Sequence, residues 1–356
     1  MHIDPLVLKR IGDAINFRQP DRVPIWESLQ NQAVYDYCAP GVPFPECAVI
    51  ACEKLGIDAT YGCMEAVSDE RVEGSVVHAA QTVWQTAPVF RSLEDLRRCK
   101  APRIRESELE ERLLAEHHTA QELYGPRVLY LPQNGGWGFL PGYDTQTFSV
   151  VAMAMAEDMR ALERFWDMNA EYAAVRNGIT AKHRLAPVVQ CCEDVAYKTG
   201  LMVSPSILRD HFFPRFQRAI APLKSAGIKV IWHSDGKIMD VLGDVVEAGI
   251  DGINPIDPSA GMDIGEVKRR YGKRLILVGN AGRAHVLRWG TPWDVRREVR
   301  ECILAASPGG GHIMQCGDGQ VMPDIPLQNV LAYLDEARRS GLSPPSPAHG
   351  HDQGEK

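Results

Sequence analysis

The chain has 356 residues, 45% of them hydrophobic and 24% charged, enough for one large core or two smaller ones. A formal charge of −7 and a pI near 5.9 argue against a nucleic-acid binder, which carries a basic face. No run approaches the roughly 18–20 apolar residues that cross a bilayer.

Residues 1–5 lack a charged-then-apolar export pattern, so a cytoplasmic protein is expected. The nine cysteines contain no C-x-x-C pair, and Cys38, Cys47, Cys52, Cys99 and Cys302 are expected as buried thiols. Residues 5–17 have the spacing of an amphipathic helix, with Leu6, Leu8, Ile11, Ala14 and Ile15 on one face. A first strand follows over 23–27, with Glu27 at its exit, then a helix over 47–55 and a second strand over 58–64. Residues 71–88 alternate loosely and predict a hairpin excursion. Ser92 and Ser107 each face a carboxylate three residues on, the signature of a helix start. The charged helix over 107–123 reads as a solvated outer element.

The third strand, 127–133, opens into a glycine- and aromatic-rich loop, 134–143, that contains Trp137. Such a loop either folds over a pocket or makes a surface turn. A helix over 159–182 leads to a fourth strand, 187–194, ending in Glu193 and Asp194. Ser204-Pro205 starts another helix, with a kink expected at Pro214. Then come strands at 229–233, 252–256, 275–280 and 311–316, interleaved with helices at 239–248, 264–271 and 292–306. A last helix spans 326–340, and the Pro/Ser/Gly/His-rich residues 344–356 are expected to be disordered.

Eight strands, most followed by a helix, within residues 1–343 predict a single α/β domain, a (β/α)8 TIM barrel. It carries an N-terminal helix and a hairpin-and-helix excursion after the second strand. A doubly wound sheet is the alternative, but no G-x-G-x-x-G follows the first strand. In a barrel the carboxyl ends of all strands share one mouth, which gathers Glu27, Cys63, Gln133, Glu193, Asp194, His233, Asp235, Asn254, Asp257, Asn280, Cys316 and Asp318.

Three groups there have specific chemistry. His233 and Asp235 leave one strand two residues apart and, with Cys316 or Asp318, offer zinc donors. Alternatively, His233 bonds its neighbours and Asp235 caps the next helix. Asp318 lies in a C-G-D-G turn and is either a cavity residue or a turn former. Glu193 and Asp194 are a candidate acid–base pair. Adjacent strand residues face opposite ways, and Glu193 is taken as the inward one.

Several stretches together resemble the uroporphyrinogen decarboxylase (URO-D) superfamily. They are residues 16–24 (NFRQPDRVP), 200–205 (GLMVSP), 233–236 (HSDG), 247–255 (EAGIDGINP), 261–263 (GMD), 271–272 (YG) and 309–313 (GGGHI). The resemblance covers residues 5–340 and implies a TIM barrel and a homodimer. That superfamily holds heme-pathway decarboxylases, which need no cofactor, and cobalamin-dependent methyltransferases that use zinc. The decarboxylases carry an arginine-rich RQAGRY stretch after the first strand, where this chain has Trp26 to Gln32 without arginine. Their key aspartate corresponds to Cys63 here, and their late histidine to Asp318. The coenzyme M branch binds zinc through H-x-C and a later G-C-G cysteine; this chain matches at His233 and has Asp235 and Asp318 for the two thiolates.

The resemblance therefore implies a corrinoid-dependent methyltransferase or demethylase. It would pass a methyl group from a small methylated or methoxylated substrate to a corrinoid-binding partner protein. His233, Asp235, Asp318 and Cys316 would be the zinc ligands, and Glu193, His233 and Asp235 the catalytic groups. Glu27, Cys63, Gln133, Trp137, Asn254 and Asn280 would contact the substrate. The alternatives are a metal-free decarboxylase or lyase of a small carboxylate, and a non-catalytic ligand-binding barrel.

Overall fold

The computed structural model describes residues 3–65, 75–78, 82–85, 88–101, 103–134, 137–142, 145–317 and 320–342. Its strands, in chain order, begin with β1 (Ser28–Leu29), β2 (Ala59–Thr60), β3 (Ser75–His78), β4 (Thr82–Gln85), β5 (Leu129–Tyr130) and β6 (Gln133–Asn134). They continue with β7 (Val188–Cys192), β8 (Ala196–Tyr197), β9 (Gly200–Leu201) and β10 (Lys229–His233), then β11 (Gly252–Asn254), β12 (Ile276–Val278), β13 (His312–Ile313) and β14 (Gln320–Val321).

Following the pairings around the molecule returns to the starting strand. Trp26 bridges Ala59 in parallel, β2 pairs with β5, and β6 with β7. The ladder then runs β7, β10, β11, β12, β13 in parallel register. Ile25 bridges Met314, and β1 pairs with β14, which closes the ring. This is a (β/α)8 barrel, and a doubly wound sheet, whose edges stay open, is excluded. The predicted excursion is the antiparallel hairpin β3–β4, with Val76 opposite Trp84.

Alternation along each strand divides the core in two. Val188 and Ile231 point inward and join Trp26, Leu129, Leu131, Ile276, Val278 and Ile313 inside the barrel. Val189, Val230, Trp232 and Leu277 point outward into the layer shared with the helices. The helix Pro5–Ile15 belongs to the inner group, for Val7, Ile11, Ala14 and Ile15 pack on the barrel's interior residues. Leu6 and Leu8, expected on that face, are 63% and 42% exposed, so the buried stripe is rotated toward Val7.

The loops around this helix are fixed by charge. Asp58, buried at the start of β2, accepts hydrogen bonds from Arg10 Nη1 (2.6 Å), Arg22 Nη1 (2.7 Å), Arg22 Nη2 (2.8 Å) and the Ile25 N–H (2.9 Å). Each cation shields the carboxylate from the low-dielectric interior it would otherwise face alone.

The helices Met159–Lys182, Ile264–Tyr271 and Pro292–Ala306 match their predicted spans. Ser92 caps Leu93–Arg98 as expected, but Ser107 lies inside a helix that begins at Glu106 and has no side-chain cap. The disturbance expected at Pro214 is a π-turn over Leu208–Phe212, ending two residues before the proline that cannot donate an N–H. Among the described residues no helix is long and apolar enough to cross a membrane. The terminal segment 344–356 lies outside the described residues.

Candidate metal centre at the barrel mouth

The carboxyl ends of β7 and β10 lie side by side, with Cys192 in register with His233. His233 points inward, in phase with Ile231, and its Nδ1 meets Asn254 Oδ1 at 2.5 Å. Its Nε2 is turned the other way, 3.8 Å from Asp194 Oδ1 and 3.8 Å from Asp235 Oδ1. One donor atom from each of Asp194, His233 and Asp235 lies within 4.8 Å of the other two. Asp194 is braced, because its Oδ1 also accepts the Asp235 N–H at 2.8 Å.

The turn beyond β10 needs a glycine. Gly236 has φ +85°, and a Cβ there would stand 2.6 Å from the Tyr197 carbonyl oxygen of the β8–β9 hairpin. Ser234 fixes the same contact from its other side, its hydroxyl accepting the Val195 N–H at 3.2 Å. Asp235 does not cap the following 3-10 turn, Met239–Val241, which starts without a side-chain cap. Its carboxylate instead stands beside the imidazole, Oδ1 3.8 Å from His233 Nε2.

A cavity of about 380 Å³ opens over these groups, lined by Gly138, Leu140, Pro141, Gly142, Cys192, Glu193, Asp194 and His233. The glycine-rich loop therefore folds over a pocket. Its anchor is Glu193, 6% exposed, whose carboxylate accepts the N–H groups of Phe139 (2.8 Å), Gly138 (3.1 Å) and Leu140 (3.4 Å). Burial pushes the Glu193 carboxyl up to about 7 despite those donors. Here the sequence reading is corrected. Val188, Gln190 and Cys192 set the inward phase of β7, so Asp194 is the residue that meets His233, and Glu193 straps the loop.

Other expected site residues are directed elsewhere. Glu27 is fully buried and accepts hydrogen bonds from the Tyr333 hydroxyl, the Cys316 N–H and the Cys316 thiol, the last at 3.3 Å. Both Glu27 and Cys316 thus face the helix Leu327–Ser340, behind the barrel wall. Cys63 turns its thiol to Cys52 of the outer helix Glu46–Leu55, Sγ to Sγ 3.5 Å. Trp137 is buried and stacks on Phe212, ring centroids 5.7 Å apart, holding the loop from behind. Asn280 donates to the Ile256 carbonyl (2.8 Å) and lines a separate cavity with Asp263 and Glu298. Asp257 caps the 3-10 turn Pro258–Ala260. Asn254 is buried beneath His233, touches the imidazole and does not line the cavity. The side chain of Gln133 and the whole of Asp318 lie outside the described residues.

Fold and site define a (β/α)8 barrel protein with an imidazole and two carboxylates converging at the carboxyl-terminal mouth. The family description of uroporphyrinogen decarboxylase (URO-D) matches residues 8–340, and the chain belongs to that family. A uroporphyrinogen decarboxylase from Thioalkalivibrio sulfidiphilus is 27% identical over 149 residues, 40% of this chain and 40% of the relative. One from Methylococcus capsulatus is 36% identical over 73 residues, 20% of either chain. The match to these curated relatives thus spans two fifths of their length or less. Among solved structures, a methyltransferase from Methanosarcina mazei has a TM-score of 0.66 at 19% identity, covering 93% of this chain and 98% of that one. That likeness is one of fold.

Proposed function

We propose that this protein transfers a methyl group from a small methylated or methoxylated compound to a corrinoid carried by a partner protein, with a divalent metal at the barrel mouth. The observation that carries the reading is the convergence of Asp194, His233 and Asp235. Among the described residues no other group of three such donors lies as close.

The donor chemistry fits zinc. The imidazole presents Nε2, because Nδ1 is occupied by Asn254, and the two carboxylates supply oxygen. Held there, zinc supplies Lewis acidity toward an oxygen or nitrogen of the substrate. The three converging donors include no thiolate, although Cys192 lines the same cavity and Cys316 is held by Glu27. Harder donors favour an ether, carboxylate or amine-type substrate over a thiol. The loop 138–142 covers the cavity and limits water, with Glu193 holding it down. Asp194, steadied by the Asp235 N–H, keeps a fixed place beside His233. The Methanosarcina mazei protein gives methyl transfer a precedent on this fold. A cytoplasmic homodimer completes the reading.

The test is metal analysis of the pure protein, followed by methyl transfer to cob(I)alamin from a panel of methyl ethers and methylamines. Stoichiometric zinc and chelator-sensitive transfer are expected, both lost in His233→Ala. Zinc absent from zinc-supplied protein would defeat the metal part. A second reading, a metal-free carboxy-lyase, draws on the names of the curated relatives. It predicts carbon dioxide release that neither chelator nor corrinoid affects.

A further inference from the structure

Beneath the mouth, three amides form a buried polar tier within an otherwise apolar barrel. Gln190 and Asn254 come from β7 and β11 and Gln315 lies just past the end of β13, and each is 1% exposed or less. Asn254 is their hub. Its Nδ2 donates to the Val278 backbone carbonyl at 3.0 Å and to Gln315 Oε1 at 2.5 Å. Its Oδ1 accepts from Gln190 Nε2 at 3.2 Å and faces His233 Nδ1 at 2.5 Å.

The chemistry of this tier settles a proton. A backbone carbonyl can only accept, so the atom of Asn254 beside Val278 must be the NH₂. The atom beside His233 is then the amide oxygen, which also can only accept. Nδ1 of His233 must therefore carry the hydrogen. Neutral imidazole carries one hydrogen, so Nε2 keeps its lone pair, aimed at the side where Asp194 and Asp235 stand.

We propose that Asn254 is a positioning residue that fixes His233 as the Nδ1–H tautomer and so prepares Nε2 as a metal donor, with Gln315 and the Val278 carbonyl fixing the rotamer of Asn254. The inference rests on the metal site proposed above. An outer partner of this kind sets both the tautomer and the orientation of a ligating imidazole, and its loss lowers metal affinity by roughly 10–100-fold. None of the three amides lines the cavity at the mouth.

The experiment uses the full chain labelled with ¹⁵N-histidine. In metal-free wild type at pH 8, long-range ¹H–¹⁵N correlation spectra should show His233 with a protonated Nδ1 and an unprotonated Nε2. In Asn254→Leu, which keeps the branched outline and removes the acceptor, Nε2–H should dominate. The zinc dissociation constant, from competition with a colorimetric chelator, should rise by about 10–100-fold. Gln315→Ala, which frees the Asn254 rotamer, should move both readouts the same way by less, and serves if the leucine variant does not fold. Wild-type His233 with Nε2–H, or an Asn254→Leu variant that keeps both tautomer and affinity, overturns the proposal. The spectra of metal-free protein decide the tautomer even if wild type binds no zinc, an outcome that would defeat the metal reading separately.

Discussion

Glu27→Gln isolates the cost of a buried charge. Glu27 is 0% exposed, and desolvation raises its carboxyl from the ordinary 4.5 to about 7, against hydrogen bonds from Tyr333 and Cys316. The folded protein thus holds this proton more tightly than the unfolded chain. Stability from this group is complete below about pH 4.5, declines as pH rises toward 7, and is level beyond. At 1.36 kcal/mol per pH unit, the loss across that window is about 3 kcal/mol. Glutamine stays neutral throughout and fits the same partners. Its oxygen accepts from the Tyr333 hydroxyl and the Cys316 N–H, and its NH₂ can donate to the Cys316 sulfur. The variant should match wild type at pH 4 and exceed it by about 3 kcal/mol at pH 8. Urea denaturation at four pH values between 4 and 8 measures the difference. A difference that does not change with pH would show that the carboxylate ionises in place at little cost, and would refute the reasoning. Since Glu27 lies behind the wall, methyl-donor KM should not move.

Asp194→Asn should weaken zinc binding by more than the 10–100-fold expected of an outer-shell loss, whereas Cys316→Ser should leave zinc content unchanged; chelator competition separates the two. Gly138→Ala should cost about 1–2 kcal/mol, since Gly138 has φ +78° and a Cβ would approach Asn169 Nδ2 to 2.9 Å. It should also speed proteolysis of the loop that Glu193 secures. Asp58→Asn should destabilise by about 3–5 kcal/mol in thermal unfolding, because Arg10 and Arg22 lose their shared buried counter-charge.

The barrel was legible because its signals are local. Short apolar runs ending in polar residues and helices with the right caps repeat along the chain, and a ring is what eight such units build. Strand ends were legible for the same reason, and they brought His233 and Asp235 to the mouth. What the sequence left open is where a side chain at a strand end turns. Glu27, Cys63 and Cys316 sit at the proper height and face outward, because Tyr333, distant in sequence, bonds Glu27, Glu27 in turn holds Cys316, and Cys52 on another element meets the Cys63 thiol. No spacing rule encodes such partners.

The choice between Glu193 and Asp194 was different in kind, because the chain does contain the answer. On β7 the stretch Val188-Val-Gln-Cys-Cys192 is apolar enough to be buried on both faces, so hydrophobicity alone gives no phase. Phase must come from the polar member. Gln190 is a poor neighbour for the helix layer, which holds Val189, Val230 and Trp232, and a natural one for the interior tier of amides with Asn254 and Gln315. Placing Gln190 inward puts Cys192 and Asp194 inward with it, and Glu193 outward toward the loop amides. The same alternation run back from His233 places Ile231 inside, as observed. The place of Asp194 beside His233 thus follows from the period-two geometry of a strand once one buried amide is assigned a partner.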